Sequence, residues 1–191
     1  MPSVVIGLGN PGGEYARTRH NVGWMALETL EGRGRFSREK REGPAKVREG
    51  SVDGYDIVTV RPQTYMNLSG RAAVHVVRRF GVPVEDLIVV HDDVDLPLGR
   101  LRLKRGGGAA GQKGVLSIAD SLRTQDFLRV RIGVSRPPDR DQMVDYVLDR
   151  FTPDERPHLE AVLGRAADAV LALIRGGLES AMAEYNRARD D

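Results

Sequence analysis

Four groups of residues carry side chains capable of chemistry, and each also has a plain structural use. Asn10 and His20 bracket an arginine-containing turn just after an apolar, glycine-rich run. An imidazole there can serve as a general base and a carboxamide can orient a substrate. Equally, an asparagine past a strand end satisfies turn backbone, and a lone histidine sits at a surface or caps a helix. The second group is Tyr65-Met66-Asn67-Leu68-Ser69-Gly70. It offers a phenol and a carboxamide, or simply a helix start with Asn or Ser as its cap. The third, His91-Asp92-Asp93-Val94-Asp95, closes an apolar run. Its three carboxylates can hold a hard cation such as magnesium, one of them can orient a histidine as in hydrolytic triads, or all can bond turn amides. The fourth runs from Lys104-Arg105 through glycines and alanines to Gly111-Gln112-Lys113-Gly114. Exposed amides and cations suit a polyanion there; a mobile solvent loop is the simpler use.

Two nucleotide motifs fail on their own terms. Gly7, Gly9 and Gly12 spell the dinucleotide fingerprint after an apolar run. That fingerprint needs a helix opening at its third glycine, where backbone amides hold a pyrophosphate. Pro11 and Gly13 interrupt the place, and residues 14–19 lack the apolar spacing of a buried helix, which starts only with Trp24, Leu27 and Leu30. Glu28 and Glu31 stand at the distance expected of the ribose-binding acid, but inside that helical stretch rather than after a second strand. A nicotinamide or flavin dehydrogenase is therefore disfavoured. The loop at 104–114 likewise lacks the adjacent Gly-Lys-Ser/Thr of a phosphate loop, because Gln112 separates Gly111 from Lys113 and Gly114 stands where the hydroxyl belongs.

The elements that must position these residues alternate. Strands are expected at residues 4–8, 55–60, 87–91, 100–104 and 127–134, with 87–91 the best central candidate. Helices are expected at about 21–31, 69–80 and 112–122. The polar segment 33–50 has room for an edge strand and loop. Asp53-Gly54 signals a hairpin, Pro62 ends a strand, Ser69 is the expected cap, and Gly81 and Pro83 are helix stops. After Pro137-Pro138 comes a charged connector, about 135–142, and a short helix near 143–148. Thr152-Pro153-Asp154-Glu155 spells a capping box, with proline in the first helical position. The apolar stripe Leu159, Val162, Leu163, Ala166, Val170, Leu173, Ile174 continues to a break at Gly176-Gly177 before a polar tail; the C-terminal helices span about 153–188. Alternation of this kind predicts one α/β domain over 1–191, three layers with a mixed sheet among helices and a flexible glycine-rich loop at about 105–114.

Composition sets the bounds. At 191 residues and 40% hydrophobic content the chain can bury a real core. Without cysteine there is no disulfide framework, thiolate metal site or cysteine nucleophile. No apolar run approaches a membrane span and Met-Pro-Ser leads straight into a strand, so a cytoplasmic protein is expected. The formal charge is only +2, so the placement of cations matters more than their total.

Taken in order, the stretches GLGNPGGEYARTRHNVG, TYMNLSG, HDDVDLPLGRLRLKRGG, DFLRVRIGVSRP and VDYVLDRF closely resemble bacterial peptidyl-tRNA hydrolase, from residue 4 to 151. The resemblance implies a single α/β domain with a twisted mixed sheet. It implies hydrolysis of the ester joining a peptide, or an N-blocked amino acid, to the terminal ribose of tRNA, which frees tRNA for translation. By matching motifs, His20 is the general base that activates water and Asp92 orients it. Asn10, Tyr15, Tyr65, Asn67 and Lys113 fall to the substrate side, and Lys104 and Arg131 clamp the acceptor-stem phosphate. The implied enzyme is a monomer that needs no metal, no cofactor, no membrane and no obligatory protein partner. One stretch departs from the pattern: the family's usual Gly-His-Asn-Gly is Gly111-Gln112-Lys113-Gly114 here. The missing asparagine normally helps hold water and the reacting carbonyl, and lysine donates but cannot accept. The alternative is a non-catalytic RNA-binding protein on the same fold, the role of relatives in plants that serve RNA splicing.

Overall fold

β-Branched apolar runs between turn residues build the sheet. The computed structural model describes residues 1–187. Ser3–Gly7 (β1) is covered on both faces, with Val5 in one apolar layer and Val4 and Ile6 in the other. That double burial is typical of a central parallel strand. Val22–Glu31 (α1) follows a turn, and then Arg35–Phe36 (β2), Lys40–Glu42 (β3) and Ala45–Val52 (β4) form an antiparallel flank. The polar segment thus holds more strand than the single edge strand expected. Asp53 and Gly54 both take positive φ, 50° and 84°. They close the hairpin onto Tyr55–Pro62 (β5) as that dipeptide predicts.

The remaining elements are Gly70–Phe80 (α2), Ile88–Asp93 (β6), Leu101–Arg105 (β7), Lys113–Leu122 (α3), Leu128–Gly133 (β8), Met143–Val147 (α4) and Arg156–Tyr185 (α5). The sheet runs β2-β4-β5-β1-β6-β8-β7, with β3 also paired to β4. Strands β5, β1, β6 and β8 are mutually parallel, and β7 closes one edge antiparallel to β8. Helices α1 and α5 cover one face and α2 and α3 the other. This is the expected three-layer α/β/α domain around a mixed sheet.

Strand β1 lies between β5 on one side and β6 on the other, and the chain crosses it through α2. The crevice beyond the carboxyl ends of such strands is where α/β sheets place ligands. Glu31, in the last turn of α1, anchors that helix to the sheet through Thr59 at 2.5 Å, Arg61 at 2.8 Å and Arg48 at 2.7 Å. Burial alone would raise its carboxyl. The hydrogen bonds from Arg61 and Thr59, with the charge of Arg61, hold it below the usual carboxylate value instead.

Three local expectations need correction. Ser69 precedes α2 but does not cap it: its hydroxyl donates to the Met66 carbonyl at 2.7 Å, and Gly70 N–H is taken by Ser117 Oγ at 2.9 Å. The Thr152–Glu155 capping box closes, with Thr152 N–H on Glu155 Oε2 at 2.7 Å, yet regular helix begins only at Arg156, so Pro153 lies in the preceding turn. Gly177, at φ 77° and ψ −179°, breaks the helical backbone of α5 where expected, but no polar tail follows. The helix resumes, burying Ala181 and packing Leu178, Met182 and Tyr185 on the core where a polar tail was expected. The final residue of the predicted C-terminal helical span lies outside the described residues.

Candidate active site

Glycines shape the end of β1. A Cβ at Gly7 would lie 2.5 Å from the Gly23 carbonyl, and one at Gly9 would lie 2.8 Å from the Trp24 ring. Gly7 and Gly9 therefore serve close approach of α1 to the strand, and no helix opens at Gly12. Beyond them, Asn21 clamps Asn10 from both sides. Its Oδ1 accepts from Asn10 N–H and its Nδ2 donates to Asn10 O, each at 2.9 Å and both buried. Asn10 Oδ1 in turn accepts from Met66 N–H at 2.7 Å, which ties the end of β1 to the stretch after β5. The Asn10 amide nitrogen is left for the cleft.

The segment carrying His20 is held just as firmly. Thr18 pairs with Arg150, and Arg19 N–H donates to Asp149 O at 3.0 Å. The buried Arg19 guanidinium reaches Tyr146 O at 3.1 Å and Glu155 at 2.9 Å, and lies 4.1 Å over the Tyr146 ring. These contacts also fix α4 beside the site. His20 Nδ1 lies 2.8 Å from Asp92 Oδ2, with Asp92 almost fully buried at the end of β6. A carboxylate only accepts, so Nδ1 carries a proton; in the neutral ring Nε2 is then the nitrogen with the free lone pair.

The acidic run does not converge. Asp92 serves His20, Asp93 Oδ2 accepts from Arg131 Nε at 2.7 Å, and Asp95 pairs with Arg136. Among the described residues, no group of three or more such side chains is close enough together to hold a metal ion. His91 also turns away. Its Nδ1 donates to the Asp92 carbonyl at 2.8 Å, and burial keeps its imidazole below the ordinary value, hence neutral.

A cleft of about 340 Å³ opens over this pair. Asn10, His20, Tyr65, Asn67, Asp92 and Lys113 all line it, so six of the sequence-predicted residues come together. Tyr15 does not line it; it is half-buried in the turn before Thr18, and its carbonyl receives the Thr18 hydroxyl. Met143, Val144, Val147 and Leu148 supply an apolar wall from α4 and its end that no local motif announces. Gln112 is the other unanticipated member, donating to Asp92 Oδ1 at 3.0 Å.

Lys104 and Arg131 stand apart from the cleft on β7 and β8. Leu101, Leu103, Val130 and Ile132 face α5, so Arg102, Lys104, Arg129 and Arg131 share the opposite face. Burial, then the charges of Arg129 and Arg131, lower the Lys104 amine below its usual value, with Asp93 acting the other way. Arg129, missed in the sequence, grips the Gly108 and Gly107 carbonyls at 2.7 and 2.8 Å. Lys104 Nζ adds a bond to Gly108 O at 3.3 Å. The glycine-rich loop is thereby tied to the cationic strand face.

A family model described as peptidyl-tRNA hydrolase matches residues 4–191. The chain belongs to this family. It is 48% identical over 182 residues to the peptidyl-tRNA hydrolase of Nocardia farcinica, covering 94% of each chain. With that of Rhodococcus erythropolis the identity is 49% over 181 residues, covering 94% of this chain and 95% of the relative. The crystal structure of peptidyl-tRNA hydrolase from Acinetobacter baumannii superposes with a TM-score of 0.91 at 31% identity, covering 98% of this chain and 96% of that one. Family membership leaves no place for the dehydrogenase reading of the glycine motif. Among the described residues, no helix is long and apolar enough to cross a membrane.

Proposed function

We propose that the chain hydrolyses the ester between a peptide and the terminal ribose of tRNA, with His20 as base and water as nucleophile. The observation that carries this reading is the His20–Asp92 pair at 2.8 Å in the cleft beyond β1 and β6. Water gives a proton to His20 Nε2 as its oxygen attacks the ester carbonyl. Asp92 holds the ring and stabilises the imidazolium that forms. Collapse of the tetrahedral intermediate breaks the bond to the ribose oxygen, which takes the proton back from His20. A peptide acid and a tRNA with a free terminal hydroxyl leave. An ester is activated enough for this, and a positioned base typically supplies about a hundred- to ten-thousandfold.

The other lining residues fit the substrate side. Asn10 Nδ2, Asn67 and Lys113 offer donors to the substrate and to a developing oxyanion, while Tyr65 is an exposed aromatic at the rim. Tyr15 falls to this set by motif alone. The wall of Met143, Val144 and Val147 suits the apolar part of a peptide. The reading is tested by incubating purified protein with N-blocked aminoacyl-tRNA. Free tRNA and N-blocked amino acid should appear in equal amounts; binding without release would favour the RNA-binding alternative. The soluble setting, cytoplasm, and independence of a protein partner belong to the same proposal.

Lys113 opens α3 where the family usually has asparagine. Returning that group, Lys113→Asn should preserve or raise turnover. Lys113→Ala should lower single-turnover cleavage more than affinity if the amine meets the transition state. Unchanged single-turnover kinetics in Lys113→Ala would leave the lysine as a loop residue.

Lys104 and Arg131 fall to an acceptor-stem phosphate by matching motif, and they share the cationic face of β7 and β8 with Arg102 and Arg129. Neutralising either should weaken tRNA binding and flatten its salt dependence by roughly one phosphate contact. Cleavage of a minimal substrate lacking that phosphate should hardly change. Affinity lines across a salt series that overlay wild type would leave both as structural cations, Arg131 on Asp93 and Lys104 on the loop.

A further inference from the structure

Gln112 stands where the family's usual stretch has histidine, and both ends of its buried carboxamide are committed. Oε1 accepts from Val115 N–H at 2.9 Å, capping α3. Nε2 donates to Asp92 Oδ1 at 3.0 Å and approaches Met66 Sδ at 3.4 Å. A backbone N–H can only donate, so the amide oxygen must face Val115 and the nitrogen must face Asp92. The helix start therefore fixes the sense of this donor.

We propose that Gln112 is a positioning residue for the hydrolysis: it locks the Asp92 carboxylate in the orientation that aims Oδ2 at His20 Nδ1. The proposal rests on the reading of His20 as base. The terminal torsion of an aspartate is soft and roughly two-fold. With Oδ1 held by Gln112, rotation that would carry Oδ2 off the imidazole costs a charge-assisted bond in a buried place. The support is also uncharged. A histidine at this position gains and loses a proton, whereas a carboxamide presents the same donor at every pH. The titratable groups that line the cleft beside it are His20, Tyr65, Asp92, Asp93 and Lys113, with His91 behind on the same strand as the two aspartates.

The informative variant is Gln112→Glu, which keeps the shape and the acceptor for Val115 while replacing the donor with a second carboxylate against Asp92. Two carboxylates so close share one proton, held in acid and lost as the pH rises. Single-turnover cleavage of N-blocked aminoacyl-tRNA should then fall on the order of ten- to a hundredfold where wild type is at its plateau. Its pH profile should gain a descending limb, and affinity for tRNA should stay within about twofold of wild type. Gln112→His, which returns a donor, should recover most of the loss. His20→Ala is measured alongside. Inactive His20→Ala with Gln112→Glu at the wild-type rate and profile overturns the positioning role alone. Retained turnover in His20→Ala overturns the catalytic reading beneath it. Equal rate losses in Gln112→Glu and Gln112→His, tracking a lowered unfolding midpoint, would also overturn the proposal and leave Gln112 as a helix cap.

Discussion

His20→Ala is expected to lose about two to four orders of magnitude in single-turnover cleavage while binding tRNA normally. The imidazole lines the cleft and hydrogen-bonds Asp92, and it belongs to neither apolar layer, so its removal takes nothing from the core. Asp92→Asn should lose on the same scale, for a reason visible in the hydrogen bonds. Gln112 Nε2 needs an acceptor, so the new side chain must turn its oxygen there and its NH2 toward His20. Nδ1 would then have to accept, which moves the ring proton to Nε2 and removes the base. Both variants should melt close to wild type. A His20→Ala protein with near-normal turnover would end this assignment.

Gly23→Ala should destabilise the fold strongly. A Cβ there would stand 2.5 Å from the Val90 carbonyl oxygen, 2.6 Å from Leu8 N and 2.7 Å from Leu8 O. All three are backbone atoms, Leu8 just beyond β1 and Val90 within β6, and Leu8 N–H donates to that same Val90 oxygen at 2.9 Å. Nothing flexible can yield, so α1 must lift. Overpacking of this kind costs about 1–3 kcal/mol or more, and each kcal/mol lowers the midpoint of a chain this size by about 2–4 °C. Lifting α1 also draws His20 away from Asp92, so turnover should fall with stability. Gly13→Ala is the control: a Cβ there meets nothing within 4 Å, and its midpoint should not move. If thermal unfolding of Gly23→Ala overlays wild type, the close packing of α1 on the strand ends is wrong.

The sequence was informative where a signal is local. The alternation of apolar runs, the Asp53-Gly54 hairpin and the Thr152–Glu155 box each depend on a few neighbouring residues, and each stands in the structure. Residue type and motif order likewise singled out His20, Asp92, Asn10 and Asn67, which meet in one cleft. What escaped depends on contacts between distant segments. Asn21 read as a helix start, yet its work is to clamp Asn10 eleven residues away. Arg129 read as one cation in an alternating strand, and only the pairing of β7 with β8 shows it gripping the glycine loop. Gln112 read as a departure from a pattern because its partner lies on another strand. Ser69 looked like a cap because its type favours that role, but a nearer carbonyl, Met66, claims its hydroxyl.

The central claim is that a neutral His20, aimed by Asp92, draws the proton from water. The most direct test is the single-turnover rate of N-blocked aminoacyl-tRNA cleavage by the wild-type protein across pH, with a chelator present. Only neutral imidazole accepts a proton. The rate should therefore rise tenfold per pH unit in acid, level off once the ring is neutral, and be the same with and without chelator. A rate that is flat with pH through the histidine's titration, or one that collapses when metal is withdrawn, would contradict the account.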